Sequence, residues 1–239
     1  MTTDNHEPEL AVLSYHKIGV PPAGWDSCFY IAEEVFANQM RVLQDSGWAV
    51  IDVATFLAGL DEPTRLPPRS ALITFDDGYR SNLTQAIPIL EDFGFPGVMF
   101  VPTAFIGGTN SFDATLEPEE PICDWDDLRE LERRGVSVQS HGITHRTFST
   151  LSDEEITTEL TGSAQALTAA LQRHTTLFAF PYGDIGERPW DTKELLRDAG
   201  YRAAFYSDGG IASGAPWTDP YGFLRVAMIA ETDLRQLLN

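Results

Sequence analysis

Short strand-like segments alternate with helical patterns along most of this chain, and this alternation constrains the fold more than any other feature. Segments rich in β-branched or aromatic residues occur at 11–15, 48–51, 71–75, 98–101, 136–140, 178–180 and 201–205. Helical periodicity, capping residues or terminating glycines mark 36–46, 86–94, 125–134, 152–171 and 192–199. Strands that alternate with helices predict an α/β fold with a parallel sheet, and many short strands of this kind favour a barrel over a two-sided sheet.

The length of the chain predicts a single domain. Barrels of about 200–250 residues commonly form one domain, and this chain has 239 residues. We expect a flexible N-terminal tail over residues 1–9 and one catalytic domain over residues 10–239. The polar segment 106–124, with its glycine pair and several prolines, is typical of an excursion from the barrel rather than a domain boundary.

The charge balance excludes two kinds of partner. The chain has 36 Asp and Glu residues against 16 Lys and Arg residues, which gives a formal net charge of −20. A polyanion of this kind repels nucleic-acid backbones and anionic lipid headgroups. We therefore expect neither a nucleic acid nor a membrane surface as a partner.

The start of the chain and its cysteines carry no sign of secretion. Residues 1–9 are polar and acidic, and no apolar run reaches about 18 residues. Cys28 and Cys123 lack the spacing of a cysteine metal cage or a disulfide framework. The cysteines say little about compartment. The polar start and the absence of a long apolar run predict a cytoplasmic protein without membrane insertion, although a secreted protein whose leader had been removed would show the same pattern.

Polar residues follow directly after four of the predicted strands. They are His16, the pair Asp76 and Asp77, His141 with His145, and the turn Pro181-Tyr182-Gly183. In parallel α/β folds the carboxyl ends of the strands form the active-site face, so these residues should converge. Adjacent residues of a regular strand point to opposite faces, and Gly78 supplies the break that lets both aspartates enter one pocket.

The residue types at these strand ends suit metal-dependent hydrolysis. His141 and His145 are four residues apart, a spacing that places both rings on one side of a helical turn. With one carboxylate they make a three-ligand set whose open position holds water, and a metal ion lowers the pKa of such a water toward about 7. A second carboxylate can then accept the proton as a general base.

Each element also has a purely structural interpretation. An Asp-Asp-Gly sequence after a strand is commonly a turn and a helix N-cap. A histidine pair at this spacing occurs by chance on exposed helices and loops, and a lone histidine such as His16 is commonly structural. His6 and His174 receive no role. The functional interpretation is favoured because all the elements fall at strand ends and together supply one complete ligand set.

Three motifs of the chain resemble those of a known enzyme family. In order, they are Thr74-Phe75-Asp76-Asp77-Gly78, Ser140-His141-Gly142-Ile143-Thr144-His145 and Phe180-Pro181-Tyr182-Gly183. This set resembles the polysaccharide deacetylase family, carbohydrate esterase family 4 with its NodB-homology domain. The segments 13–16, 36–47 and 106–110 resemble the bacterial branch that includes poly-N-acetylglucosamine deacetylases, and the resemblance extends from about residue 11 to about residue 226.

The resemblance implies a distorted (β/α) barrel of seven or eight strands and a metal-dependent hydrolase that removes N-acetyl groups from amino sugars. Transferred position by position, Asp76 would be the catalytic base and His16 the general acid. The metal ligands would be Asp77, His141 and His145. The backbone N–H of Tyr182 would donate to the oxyanion. We expect zinc as the ion, with cobalt or nickel as alternatives.

The chain departs from the family pattern around the catalytic base and acid. Ala179 stands where an arginine usually precedes the third motif, and Arg225 is the predicted substitute. No histidine follows His174, so the late family histidine is absent and His16 is the motif-matched acid. We also expect substrate contacts from Pro181, Tyr182 and Trp125.

Three functions stay open at this point. The leading hypothesis is a deacetylase of N-acetylated sugars or glycans, and the acidic composition would favour neutral or cationic sugars. The same barrel could instead hydrolyse a non-sugar amide or imide. The missing arginine is the one feature that favours a weakly active carbohydrate-binding protein. The sequence does not indicate an oligomeric state.

Overall fold

The computed structural model describes residues 8–207, 209–213 and 218–238. Most of the predicted tail, residues 1–7, lies outside the described residues, and residue 9 already belongs to the first strand. Among the helices of the described ranges, none has both the length and the apolar character needed to span a bilayer.

Ten of the described strands form one sheet. They are β1 Glu9–Tyr15, β4 Ala49–Val50, β5 Arg69–Phe75, β6 Gly97–Val101, β7 Val136–Ser140, β8 Leu177–Ala179, β9 Ala203–Tyr206, β10 Ala212–Ser213, β11 Phe223–Leu224 and β12 Val226–Ala227. Two further strands, β2 (Lys17–Ile18) and β3 (Tyr30–Ile31), pair with each other. The five longest segments of the sheet fall on predicted strands, whereas β10, β11 and β12 are too short to show a pattern in the sequence.

Parallel pairing runs around the molecule and returns to its first strand. The order is β1-β5-β6-β7-β8-β9-β11, and β12 then pairs in parallel with β1, with Val226 opposite Leu13. A segment of five residues, 223–227, therefore joins β9 to β1 and closes the ring. The predicted parallel α/β barrel is confirmed.

Seven α-helices accompany the strands in the described part of the chain. They are α1 Glu33–Ser46, α2 Val53–Asp61, α3 Ile87–Phe93, α4 Trp125–Arg133, α5 Asp153–Leu171, α6 Pro189–Asp198 and α7 Leu234–Leu237. The capping box predicted at Ser152 is present, because the Ser152 hydroxyl accepts from the Glu155 N–H while the Glu155 carboxylate accepts from the Ser152 N–H. α2 and α7 were not predicted, and a π-helical turn, Asn82–Ala86, precedes α3.

Alternation along the strands separates two cores. One cluster fills the barrel interior and includes Leu10, Val12, Leu72, Phe100, Phe205 and Phe223, with Phe56 of α2 packed among them. The intervening residues, such as Leu13 and Ile73, pack outward against the helices. Because every second residue faces inward, the interior row of β5 continues from Leu72 through Thr74 to Asp76 at the strand end. This period carries polar side chains into the carboxyl end of the barrel.

The segment 106–124 is an excursion, as predicted. Its described residues contain a short 3-10 turn, Ser111–Asp113, and no α-helix or paired strand of the barrel. Isolated bridges between Thr109 and Pro121 and between Tyr79 and Ile122 hold it near the carboxyl end of β5. The excursion thus forms a wall above the strand ends.

Candidate active site

A cavity of about 320 Å³ lies at the carboxyl ends of the strands. Its lining includes the predicted residues His16, Asp76, Asp77, His141, His145, Tyr182 and Arg225. Two predicted substrate contacts lie elsewhere, since Trp125 packs against the outer core cluster and Pro181 is buried beside the cavity without lining it. The structure therefore gathers the predicted catalytic and metal-binding residues but does not place Trp125 among them.

The two adjacent aspartates separate where β5 ends. The Asp76 N–H still donates to the Tyr15 carbonyl at 2.9 Å, as in a regular ladder, whereas Asp77 has a φ of 68°. Gly78 follows with a φ of 74°, and a Cβ at that position would lie 2.2 Å from Cγ1 of Val101. The predicted break is confirmed, and it begins one residue earlier than Gly78, because Asp77 itself adopts the left-handed conformation.

Arg225 holds Asp76 inside the barrel. Its two terminal nitrogens donate to the two carboxylate oxygens of Asp76, each at 2.7 Å, and both side chains are almost fully buried. Burial alone would raise the pKa of Asp76, but the Arg225 charge, with smaller effects from His141 and His16, outweighs burial and lowers the pKa below its ordinary value. Asp76 is consequently an ionised carboxylate with a fixed orientation.

Asp77, His141 and His145, together called the metal triad below, converge on one point. One ligand atom from each lies within 4.8 Å of the others, and all three residues are buried. Asp77 Oδ1 lies 3.0 Å from His145 Nε2 and 3.5 Å from His141 Nε2. Burial would raise the pKa of Asp77, but the charge of His145 and the close approach of both imidazoles lower it well below its usual range.

The two histidines meet through a bend rather than through the predicted helical turn. The chain from 141 to 145 forms no helix, with Gly142 at a φ of 79° and His145 at a φ of 54°. A Cβ at Gly142 would lie 2.9 Å from the Glu159 carboxylate. The four-residue spacing thus brings the rings together, but the expectation of a helical turn was wrong.

The metal triad fits a divalent cation. Asp77 Oδ1 and His145 Nδ1 are buried without a hydrogen-bond partner among the described residues, and a buried polar atom without a partner costs about 1–3 kcal/mol. Two imidazoles and one carboxylate are the donor set of open catalytic zinc sites. The orphaned carboxylate oxygen faces both ring nitrogens, which is the arrangement that a shared cation would compensate.

Residues behind the triad orient its ligands. The Nδ1 of His141 lies 2.7 Å from the Ala179 carbonyl, so the Nδ1–H donates there and Nε2 faces Asp77. The buried Glu159 of α5 accepts from the N–H groups of Ile143 and Thr144 at 2.5 and 3.0 Å. Glu159 therefore holds the bend that carries the two histidines.

His16 lies near the same carboxylate oxygen of Asp76 that accepts from Arg225 Nη2. Its Nε2 is 4.0 Å from Asp76 Oδ2, and its side chain is 25% exposed. The Phe29 ring covers the imidazole, with ring centroids 4.7 Å apart. Burial is the main cause that lowers the pKa of His16, although the charges of both aspartates oppose this effect.

The Pro-Tyr-Gly turn lines the cavity through Tyr182 and Gly183. Tyr182 has a φ of 57° and Gly183 a φ of 67°, and a Cβ at Gly183 would lie 2.7 Å from the Ser207 side chain. The turn's own hydrogen bonds come from Gly183 to the Phe180 carbonyl and from Asp184 to the Pro181 carbonyl. The N–H of Tyr182 takes no part in these bonds.

Several functional-site residues were not predicted. The Tyr182 hydroxyl donates to Asp113 Oδ1 at 3.0 Å, and the Phe112 ring packs on the His145 ring at 4.1 Å between centroids. Asp113 and Phe112 come from the excursion, whose irregular sequence gives no periodic signal. Glu159 could have been found, because it falls on the same helical face as the buried Ile156, Leu160, Ser163 and Leu167.

Comparison with known proteins places the chain among carbohydrate deacetylases. Residues 64–204, more than half of the chain, match the family described as Polysaccharide deacetylase. YxkH of Bacillus subtilis (strain 168) is 24% identical over 86% of this chain and 67% of its own length. The poly-β-1,6-N-acetyl-D-glucosamine N-deacetylase of Escherichia coli (strain K12) is 24% identical over 86% of this chain, which spans only 35% of that protein.

A solved structure shares the fold over nearly its whole length. The deacetylase PplD of Streptococcus pyogenes, determined in complex with acetate, superposes with a TM-score of 0.82 at 19% identity. The match covers 97% of this chain and 98% of PplD. The distorted barrel inferred from the sequence motifs is confirmed by this likeness.

Proposed function

The chain belongs to the polysaccharide deacetylase family, and we propose that it hydrolyses the N-acetyl amide of amino-sugar residues with a divalent metal ion held by the metal triad. The observation that carries this proposal is the pair of adjacent aspartates with separate partners. Asp77 faces two histidines, while Asp76 is held by Arg225 at 2.7 Å. Metal-dependent hydrolysis needs one carboxylate as a ligand and another as a base.

The metal triad would hold the ion through Asp77, His141 Nε2 and His145 Nε2. When bound, a divalent ion supplies Lewis-acid polarisation and lowers the pKa of a coordinated water. Zinc fits the two imidazoles and the carboxylate, and cobalt and nickel accept the same donors. The Ala179 carbonyl fixes the tautomer of His141 that leaves Nε2 free to bind.

Asp76 accepts the proton of the water that attacks the acetyl carbonyl carbon. Both of its oxygens are occupied by Arg225 donors, but each carboxylate oxygen accepts more than one hydrogen bond. Arg225 keeps the carboxylate ionised and prevents it from rotating, so the base is ready before substrate enters. Ala179 therefore does not leave the base unsupported, and the support comes from the closing segment of the barrel instead.

Two further groups complete the reaction. The Tyr182 N–H donates to the oxygen on which negative charge develops as the tetrahedral centre forms. His16 gives its Nε2 proton to the amide nitrogen as the C–N bond breaks, which releases acetate and a free amine.

N-acetylglucosamine polymers are the proposed substrate class. The named activity of the Escherichia coli relative supports this choice, and the apolar walls that Phe29 and Tyr182 add to the cavity suit a sugar ring and an acetyl methyl group. The hypothesis of a weakly active binding protein rested on the absent arginine. Arg225 removes that support, because the base is paired in this structure.

Acetate release is the direct test. The purified protein, stripped by a chelator and then supplied with zinc, cobalt or nickel, is incubated with N-acetylglucosamine oligomers, poly-β-1,6-N-acetylglucosamine, a simple N-acetyl amide and a cyclic imide. We expect acetate from the glycans only after a metal is restored. Equal acetate release from the stripped protein would refute metal dependence. Opening of the imide ring releases no acetate and is followed by chromatography, and turnover confined to the imide would move the activity to the alternative substrate class.

A further inference from the structure

We infer that Asn82 is a positioning residue for the general acid, because its side-chain amide anchors the main chain of His16. The inference rests on the role of His16 in the proposed function. Asn82 Nδ2 donates to the His16 carbonyl oxygen at 2.7 Å, and the Asn82 side chain is fully buried. Because a carbonyl oxygen only accepts, the amide has to turn its nitrogen toward His16.

The oxygen of the same amide indicates that a contribution to folding alone does not explain why an asparagine occupies position 82. Its Oδ1 is buried without a hydrogen-bond partner among the described residues. An apolar side chain of similar shape would avoid the cost of that buried oxygen. The amide nitrogen, and hence its contact with His16, is the part of the side chain that the structure uses.

Asn82 fills a gap in the backbone bonding around the acid. On one side of His16, the Tyr15 carbonyl accepts from the Asp76 N–H at 2.9 Å, and on the other the Lys17 N–H donates to the Phe29 carbonyl at 3.0 Å. The Asn82 amide ties down the carbonyl of the residue between them. With the main chain fixed at this point, the imidazole stays beneath Phe29 and 4.0 Å from Asp76.

The local chain conformation supports the same role. Asn82 opens the π-helical turn Asn82–Ala86, and its own N–H donates to the Tyr79 carbonyl at 3.1 Å. π-Helical turns are rare and concentrate at functional sites. This turn begins five residues after Asp77, so one short segment carries the base, a metal ligand and the anchor of the acid.

A double-mutant cycle separates positioning from general destabilisation. We expect Asn82→Leu to lower kcat for acetate release from N-acetylglucosamine oligomers by about 10–100-fold, since a misplacement of about 1 Å has effects of this size, with KM nearly unchanged. In a His16→Ala background the same substitution should change kcat by less than about 2-fold. Losses that multiply in the double variant would overturn the inference.

Two companion variants guard against loss of the fold. Asn82→Asp keeps the shape but sets an acceptor against the His16 carbonyl, so it should lower kcat as Asn82→Leu does. Gln85→Leu removes another amide from the same π-helical turn, one that lies beside Gly19, and should keep kcat near that of the unaltered protein. Thermal melting of each variant gives the folded fraction, and an equal kcat loss in Gln85→Leu would contradict a specific role for Asn82.

A crystal structure of the Asn82→Leu protein gives a readout that needs no turnover. We expect the His16 imidazole to shift away from Asp76 while the metal triad keeps its positions. An unmoved imidazole would overturn the inference even if the proposed substrate were correct. Failure of the proposed function is distinguishable, because it would appear as absent acetate release from the unaltered, metal-supplied protein.

Discussion

The two halves of the active site are assembled by different parts of the fold. The metal triad lies at the ends of β5 and β7, within the residues 64–204 that match the family. His16 and Arg225, called the closure pair below, lie outside that range, after β1 and between β11 and β12. Both members of the closure pair approach the carboxylate of Asp76. Arg225 reaches it because β12 pairs with β1, whereas His16 reaches it because β1 pairs with β5.

This difference separates ion binding from proton transfer. The metal triad is positioned by two strand ends and by Glu159 behind the histidine bend. Of the closure pair, Arg225 depends on the completed ring, and Asp76 connects the two halves because it is the covalent neighbour of Asp77. Variants of the first half should remove both metal and activity, whereas variants of the second should remove activity alone.

The largest effect is expected from His141→Ala. This change deletes one of the three ligands, so zinc should no longer co-purify at a stoichiometric ratio and acetate release should fall to background. Elemental analysis and an acetate assay measure the two outcomes. His174→Ala alters an exposed histidine away from the cavity and should change neither. A His141→Ala protein that keeps a full equivalent of metal would show that the triad is not the ion site.

Asp76→Asn should retain the metal but lower kcat by about 10²–10⁴-fold, because the base is lost. It should also lower the free energy of unfolding by about 3–5 kcal/mol, since Arg225 is left buried without its partner charge. Metal titration, kinetics and denaturant unfolding test these expectations. Asp76→Asn combined with Arg225→Met removes the unpaired cation, and it should regain stability without regaining activity. Loss of the metal in Asp76→Asn would contradict the division into two halves.

His16→Ala should lower kcat by about 10²-fold, near the lower bound for an acid–base group, because the amine can still leave with a proton from water. Metal binding should be unchanged. The leaving group of an acetyl ester such as 4-nitrophenyl acetate needs no proton. The substitution should therefore lower the rate of ester hydrolysis much less than the rate of amide hydrolysis. Equal losses on both substrates would argue that His16 supports the site rather than protonating the leaving group.

Arg225→Lys tests the contact between the closing segment and Asp76 with a smaller change. Lysine keeps the positive charge but cannot offer two parallel donors to Asp76, so we expect kcat to fall by about 10-fold, corresponding to about 1.4 kcal/mol. Arg225→Met should lower kcat further, because it also leaves Asp76 buried without a cation. Metal affinity should stay the same in both variants. A lysine variant with unaltered kcat would show that charge alone supports the base.

The sequence predicted the metal triad better than the closure pair for a physical reason. Each triad residue directly follows a strand or a bend with its own local signal, and parallel strand ends necessarily meet. Arg225 follows a strand of two residues, β11, so its contact with Asp76 depends on ring closure, which no local pattern encodes. Only the resemblance of its surrounding residues to a known branch pointed to it.

Backbone conformation accounts for most of what the sequence could not predict within the site. The left-handed conformations of Asp77, His145 and Tyr182 are uncommon for residues with a side chain. They are imposed by the surrounding contacts, such as Glu159 on the histidine bend and Ser207 against Gly183. For this reason the helical turn expected at 141–145 was wrong, although the three predicted ligands do converge. Trp125 does not line the cavity, because an aromatic residue in the first turn of a helix packs equally well on a core.

The smallest effect is expected at Tyr182, whose side chain belongs to neither half. Tyr182→Phe removes the hydroxyl that donates to Asp113 at 3.0 Å but keeps the backbone N–H that would bind the oxyanion. The Tyr182 side chain is 54% exposed, so the lost hydrogen bond is worth at most about 1 kcal/mol and kcat/KM should fall by less than about 5-fold.

Gly183→Ala provides the contrast to that side-chain change. A Cβ at this position would lie 2.7 Å from Ser207, and the strain would move the Tyr182 N–H itself. Its kcat should therefore fall further than that of Tyr182→Phe, with metal content unchanged in both proteins. If Tyr182→Phe lost as much activity as Gly183→Ala, the hydroxyl rather than the main chain would be the group that acts on substrate. The hydrogen bond between Tyr182 and Asp113 would then be required for turnover, as the closure pair is.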